Sequence, residues 1–228
     1  MKREVLVWMF LSLVWFAGVQ AVLSGTTVTW SGGGGNNLAS TAANWVDGVV
    51  PQDGDDVVLD ATSSKDMIWD IEIKPGSWLQ DGYGGIVTIG TKYGATGLTN
   101  LVIIGDCDLR SGVWTHITQP KSDVPQYRLK VVVGGDFTLG SGAQINVDGK
   151  GFPQAKGPGA PGLVQAAASH GGRGARTTHA AARSADCYGS IVMPADLGSG
   201  GREQFGTAGG GAVWLEVGGI LQLDGGIT

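Results

Sequence analysis

The densest set of chemically capable side chains in this 228-residue chain runs from position 170 to 187, where His170, Arg173, Arg176, His179, Arg183, Asp186 and Cys187 fall within eighteen residues. Two imidazoles and a thiol can ligate zinc. A His, a second His nine positions on and a Cys eight beyond it do not match the close spacings of structural zinc sites. The cationic members suit other chemistry, and His170, Arg173 and Arg176 form a candidate contact for an anion or a glycan, with solvated polar decoration as the plainer reading. A second group, Asp53, Asp55, Asp56 and Asp60, offers the oxygen ligands calcium prefers. It lacks an Asp-x-Asp-x-Asp-Gly loop. Asp53, Asp55 and Asp56 therefore stand as metal candidates on residue type alone; the expectation is that the chain carries no cofactor, with calcium at these residues as the alternative.

Carboxylates that cleave polysaccharides are gathered several at a time on one strand face. Asp106, Asp108, Asp136 and Asp148 are of the right type, but most sit beside turn glycines, where Asp is expected for its backbone hydrogen bonds. No Ser/His/Asp arrangement, nucleotide-binding glycine loop or metalloprotease helix is present. The Gly32–Gly35 run lacks the Lys-Ser/Thr of a phosphate cradle. No catalytic residue is assigned on this basis.

The elements that must position these groups are strands. A unit of apolar run, glycine, short apolar run recurs three times: Leu101-Val102-Ile103-Ile104-Gly105-Asp106-Cys107-Asp108-Leu109, Val131-Val132-Val133-Gly134-Gly135-Asp136-Phe137-Thr138-Leu139 and Leu215-Glu216-Val217-Gly218-Gly219-Ile220-Leu221-Gln222-Leu223. Such recurrence predicts stacked copies of one strand geometry, none stable alone. From Gly105 to Gly134 the step is 29 residues, which fits one coil of a parallel β-helix, with glycine where a Cβ would strike the coil above or where φ turns positive. The rival is a β-sandwich. Its strands should alternate more strictly than Leu101–Ile104 or Val131–Val133, which read as buried on both faces. Glycine supplies 41 residues, charged residues only 15%, and no helical apolar stripe follows the N-terminal segment, so the expected class is all-β.

The N-terminus predicts export. Lys2 and Arg3 precede an apolar stretch from Val5 to Val19, and Val19-Gln20-Ala21 offers a small-residue cleavage site. The stretch is shorter than the ~20 residues a membrane span needs, so removal after Ala21 is expected and the mature chain is not expected to be an integral membrane protein. Net charge is −5, becoming −6 when two positive residues and one negative residue leave with the leader, which disfavours nucleic acid as a partner. In an oxidising compartment Cys107 and Cys187 permit one disulfide; the alternative is two free thiols, with Cys107 in the apolar position that Phe137 holds in the next copy.

Trp30 with its Gly/Asn-rich loop, Asn44-Trp45, Val50-Pro51, Gly54-Asp55 and the Val57-Val58 strand resemble the leader of bacterial secreted and surface right-handed parallel β-helix proteins, autotransporter passengers among them. Gly82-Tyr83-Gly84-Gly85-Ile86-Val87-Thr88 resembles their early coils, and His170-Gly171-Gly172-Arg173-Gly174 with Gly209-Gly210-Gly211-Ala212 resembles a glycine-rich module that recurs in large secreted bacterial proteins and in some plant glycine-rich surface proteins. The resemblance implies a signal peptide (1–21), an N-terminal cap with Trp30 and Trp45 in its core (22–66), β-helix coils (67–147), a glycine-rich excursion held by close backbone packing (148–211) and a further coil (212–228) that the pattern would continue. It implies a non-catalytic extracellular or cell-surface scaffold, adhesin-like or in contact with polysaccharide or other surface components. The alternative is a pectate-lyase-like carbohydrate-active enzyme, or the N-terminal part of one.

Overall fold

The structure, a computed structural model, describes residues 25–161, 167–174, 185–190, 192–201 and 207–228. The expected signal peptide and Arg176 lie outside the described residues. Among the described residues twelve strands follow one another: β1 (Thr27–Thr29), β2 (Asp56–Leu59), β3 (Met67–Trp69), β4 (Ser77–Gln80), β5 (Ile86–Ile89), β6 (Leu101–Ile103), β7 (Cys107–His116), β8 (Leu129–Val133), β9 (Phe137–Ile145), β10 (Val213–Val217), β11 (Leu221–Leu223) and β12 (Gly226–Ile227). Among the described residues the one helical element is a single 3-10 turn, Ala42–Asn44.

Every pairing between these strands is parallel, in a nine-stranded and a three-stranded sheet, which is not the antiparallel arrangement a sandwich requires. Parallel neighbours cannot be joined by tight hairpins, so each strand pairs with one that is 20 to 84 positions away. Three ladders result. The first runs β1-β2-β4 and on through the front halves of β7 and β9 to β11; the second runs β3-β5, the rear halves of β7 and β9, and β12; the third is β6-β8-β10. The front and rear halves of β7 meet at a bulge between Leu109 and Ser111. Gly112 follows at φ 75°, and a Cβ there would lie 2.5 Å from Gln80 Nε2, so only glycine fits the bend. Gln80, fully buried, spans the corner: its amide nitrogen donates to Ser111 O and its oxygen accepts from Trp114 Nε1.

The repeat aligns at 30 residues rather than 29, because Leu101 faces Val131 and Cys107 faces Phe137, which puts Gly105 opposite Gly135. The apolar runs are also not buried on both faces. Leu101, Ile103, Val131 and Val133 point inward, whereas Val102 and Val132 are half-buried on the outer side. The glycines act by close approach and not by φ: a Cβ on Gly135 would sit 2.1 Å from Asp106 Oδ1, and one on Gly219 would sit 2.2 Å from Asp136 Oδ1.

All three ladders feed one apolar core. Stacked rings run through it edge to face, with Trp69–Trp78, Trp78–Trp114 and Trp114–Phe137 centroids 5.0, 5.4 and 6.4 Å apart. Pairs of this kind contribute about 0.5–1.5 kcal/mol beyond the area they bury. Trp30 and Trp45 form a separate edge-on pair at 5.4 Å, both buried, with their indole N–H groups donating to Lys65 O and Ala39 O. In the described part of 148–211 the backbone packs on itself: Gly151 N donates to Gly209 O, Phe152 N to Gly198 O and Gly198 N to Gly210 O. Phe152, Leu197 and Ala212 are its small apolar centre, with Tyr93 packed against it.

Candidate functional site

Most of the carboxylates singled out in the sequence have structural partners. Asp55 is nearly enclosed; its two oxygens accept from Thr26 N and Oγ1 and from Gln52 N. Burial works against its charge, but these donors outweigh it and hold the carboxyl below its ordinary value. Asp53 accepts from Lys74 N and Asp56 from Ser77 Oγ. Among the described residues no group of three or more His, Cys, Asp or Glu side chains is arranged around a common point for a metal ion. Asp106 accepts from Asp136 N at 2.8 Å, and Asp136 accepts from Ile220 N at 2.7 Å. Each carboxylate therefore latches one copy of the repeat to the next, across 30 and 84 positions, and not to its own turn.

The glycine-rich candidates are likewise engaged. Arg173 pairs with Asp186 at 3.0 Å, both well exposed, so its charge is compensated locally. The His170 ring stands edge-on to Tyr188 at 4.6 Å. Both cysteines are free in the structure, Cys107 enclosed in the core and Cys187 exposed. Cys107 occupies the inward position between Trp78 and Phe137, where an apolar residue is required and a bridge to an exposed loop would have to leave the core.

A surface that the sequence reading did not single out gathers the more capable groups. Strand alternation on the β6-β8-β10 ladder turns Lys130, Trp214 and Glu216 outward, with Trp214 directly opposite Lys130. The Arg128 guanidinium lies 4.6 Å from the Tyr93 ring centroid and 5.9 Å from that of Trp214, and Lys130 Nζ lies 5.4 Å from the Trp214 ring. Such cation–ring contacts are worth about 0.5–1 kcal/mol when exposed and more when water is excluded. Thr91, fully buried, braces the cluster from behind: Arg128 N donates to its carbonyl, its hydroxyl donates to Arg128 O, and Lys130 N donates to the same hydroxyl. The Tyr93 hydroxyl donates to Ala195 O at 2.7 Å, which fixes the ring. Burial first, then Asp196 and Tyr188, pushes its pKa up to about 12 against the pull of Arg128. Glu216 accepts from Trp214 Nε1 at 2.7 Å and pairs with Lys130 at 3.4 Å.

Two shallow clefts that share Glu72 and Leu98 open elsewhere. One, of about 300 Å³, carries Asp53, Lys74 and Asn100; the other, of about 310 Å³, carries Asp70, Lys92 and Tyr127. Asp70 accepts from both Ser40 N and Ser40 Oγ, and Asp53 from Lys74 N, so two of the three carboxylates hold backbone in place.

Fold and surface together define an all-β protein of parallel sheets with an aromatic–basic patch on the face of one ladder. The chain matches no family model, no curated protein and no solved structure. No helix among the described residues is long and apolar enough to cross a membrane.

Proposed function

We propose that the chain is an exported right-handed parallel β-helix of bacterial secreted or surface type, a non-catalytic scaffold that contacts polysaccharide through the outer face of the β6-β8-β10 ladder. The observation that carries this reading is the Tyr93–Arg128–Trp214 cluster, two half-exposed rings and a cation braced from behind by Thr91 on the outer side of one ladder. Aromatic side chains with an apolar body and a polar tip suit ligands that are part C–H surface and part hydroxyl. Crossovers between parallel strands are right-handed in nearly all proteins, which supports a right-handed helical path, and the 30-residue register between β6 and β8 fits one coil. The leader, with its Lys2-Arg3 start and Ala21 site, supports export.

Two experiments test it. N-terminal sequencing of the protein recovered from culture medium or cell surface is expected to begin at Val22. Pull-down on insoluble polysaccharides is expected to retain the chain and to lose it in Trp214→Ala; retention unchanged in Trp214→Ala and Tyr93→Ala alike overturns the assigned face. The carbohydrate-active alternative draws on the clefts around Glu72, where Asp53 and Asp70 also lie. It predicts new reducing ends or unsaturated products from a soluble polysaccharide, lost in Glu72→Gln.

A further inference from the structure

We infer that the Tyr93–Arg128–Trp214 face selects a carboxylate-bearing polysaccharide, with Arg128 as the partner of the sugar carboxylate and Trp214 as the surface on which the ring lies. This rests on the polysaccharide-contacting reading above and names the chemistry of the sugar.

The distribution of charge carries the argument. Two carboxylates stand near the cluster: the Oε1 of Glu216 is committed to Lys130 and to the Trp214 indole, and Asp196 acts on Tyr93 without an ion pair to Arg128 among the described residues. Arg128 has no carboxylate partner and makes no side-chain hydrogen bond among the described residues, and its Nε is enclosed without an acceptor. A half-buried guanidinium stacked on rings is partly stripped of water yet uncompensated, a state that an incoming anion relieves. Arginine's planar fork suits a carboxylate in particular.

Position argues for a sugar. Arg128 stands beside β8, the central strand of its ladder, not at a free strand edge where a peptide would add as another strand. The guanidinium carbon lies 5.9 Å from the Trp214 centroid and 4.6 Å from that of Tyr93, so the cation and both rings are close enough together to contact one sugar residue and its carboxylate. The three hydrogen bonds through Thr91 fix the backbone on both sides of Leu129, so the site is set before a ligand arrives. Because the chain is acidic overall, at −5, attraction of an anionic polymer must come from this local cation, and it should weaken steeply with salt.

The test is affinity electrophoresis of the full chain through gels containing polygalacturonate, its methyl-esterified form or dextran sulfate. Wild type should be retarded by polygalacturonate at about 50 mM salt and much less at about 500 mM, where screening shortens to a few ångströms. Arg128→Gln should weaken that binding about tenfold or more, Trp214→Ala comparably, and Arg128→Lys less, because it keeps the charge without the fork. Unchanged thermal midpoints, read in parallel, establish that the variants are folded, and the comparison of polymers on wild type alone remains decisive if one variant does not fold. Equal retardation by acid and ester, abolished by Trp214→Ala, overturns the preference for carboxylate and leaves polysaccharide contact standing. Equal retardation by dextran sulfate whatever stands at 214 reveals ion exchange and overturns the stacked-sugar geometry. No retardation by any of the three overturns the inference and the polysaccharide reading together.

Discussion

Gly135→Ala isolates what the repeated glycine does. A Cβ there would lie 2.1 Å from Asp106 Oδ1, 2.9 Å from the Gly105 carbonyl carbon and 3.0 Å from its oxygen. The carboxylate could swing aside, but it holds Asp136 N at 2.8 Å; the Gly105 carbonyl cannot, because it accepts from Gly135 N at 2.9 Å. Relief of both contacts therefore means losing a hydrogen bond to a charged group, about 1.5 kcal/mol at the low end appropriate to an exposed bond, and wedging two copies slightly apart, about 1 kcal/mol at the low end for overpacking. Reduced entropy of the unfolded chain returns about 0.4–1 kcal/mol. The net expectation is a loss of about 2 kcal/mol. In urea unfolding followed by tryptophan fluorescence, with a slope of about 2–3 kcal/mol/M, the midpoint should fall by about 0.7–1 M at unchanged slope. Gly84→Ala is the control, since no atom lies within 4 Å of its added Cβ and its φ is not left-handed; it should stay within about 0.5 kcal/mol of wild type. If the two variants unfold at the same urea concentration, steric closeness is not why glycine stands at this corner.

Stability should fall with acid through His116. The ring is fully buried, and burial pulls its pKa down to about 4 from 6.5. The native state then refuses a proton that the unfolded chain accepts, so stability is lost as pH drops below about 6.5 and the loss levels off near 4, amounting to about 2 kcal/mol by pH 5; His116→Phe should flatten thermal midpoints across that range. Asp136→Ala should free the Ile220 amide, which it holds at 2.7 Å, and hydrogen exchange at β11 should quicken while β8 stays protected. Titration with a thiol reagent should modify one cysteine per native chain, the exposed Cys187, and the second only on unfolding, since burial raises the Cys107 pKa well above its usual value.

The stacked strands were legible because the inward residues repeat in type: Leu101 over Val131, Cys107 over Phe137 and Leu109 over Leu139. The one-residue error in the step arose because two glycines, Gly134 and Gly135, offer the same letter, and only the hydrogen bond from Gly135 N to Gly105 O chooses between them. The outward valines were misread because Val102 and Val132 are as apolar as their inward neighbours, so the burial alternation leaves no trace in composition. The aromatic–basic face was hidden for a different reason. Tyr93, Arg128 and Trp214 lie 35 and 86 positions apart along the chain, and the long glycine-rich segment between β9 and β10 conceals that Trp214 returns opposite Lys130. A strand reading of Val213–Val217 carries the one usable signal, an aromatic at an outward position two residues before a glutamate.

The Asp106 and Asp136 latches run the same way as the ladder hydrogen bonds, from one copy of the repeat to the next. Pulled along that direction, the interfaces bear the load in series, and the weakest gives first, like a zip opened tooth by tooth. Pulled along its strands, the same protein loads many bonds side by side, and they must fail together. A molecule built this way is compliant along one axis and stiff along another, so the direction in which its ends are tethered would decide how much tension it withstands.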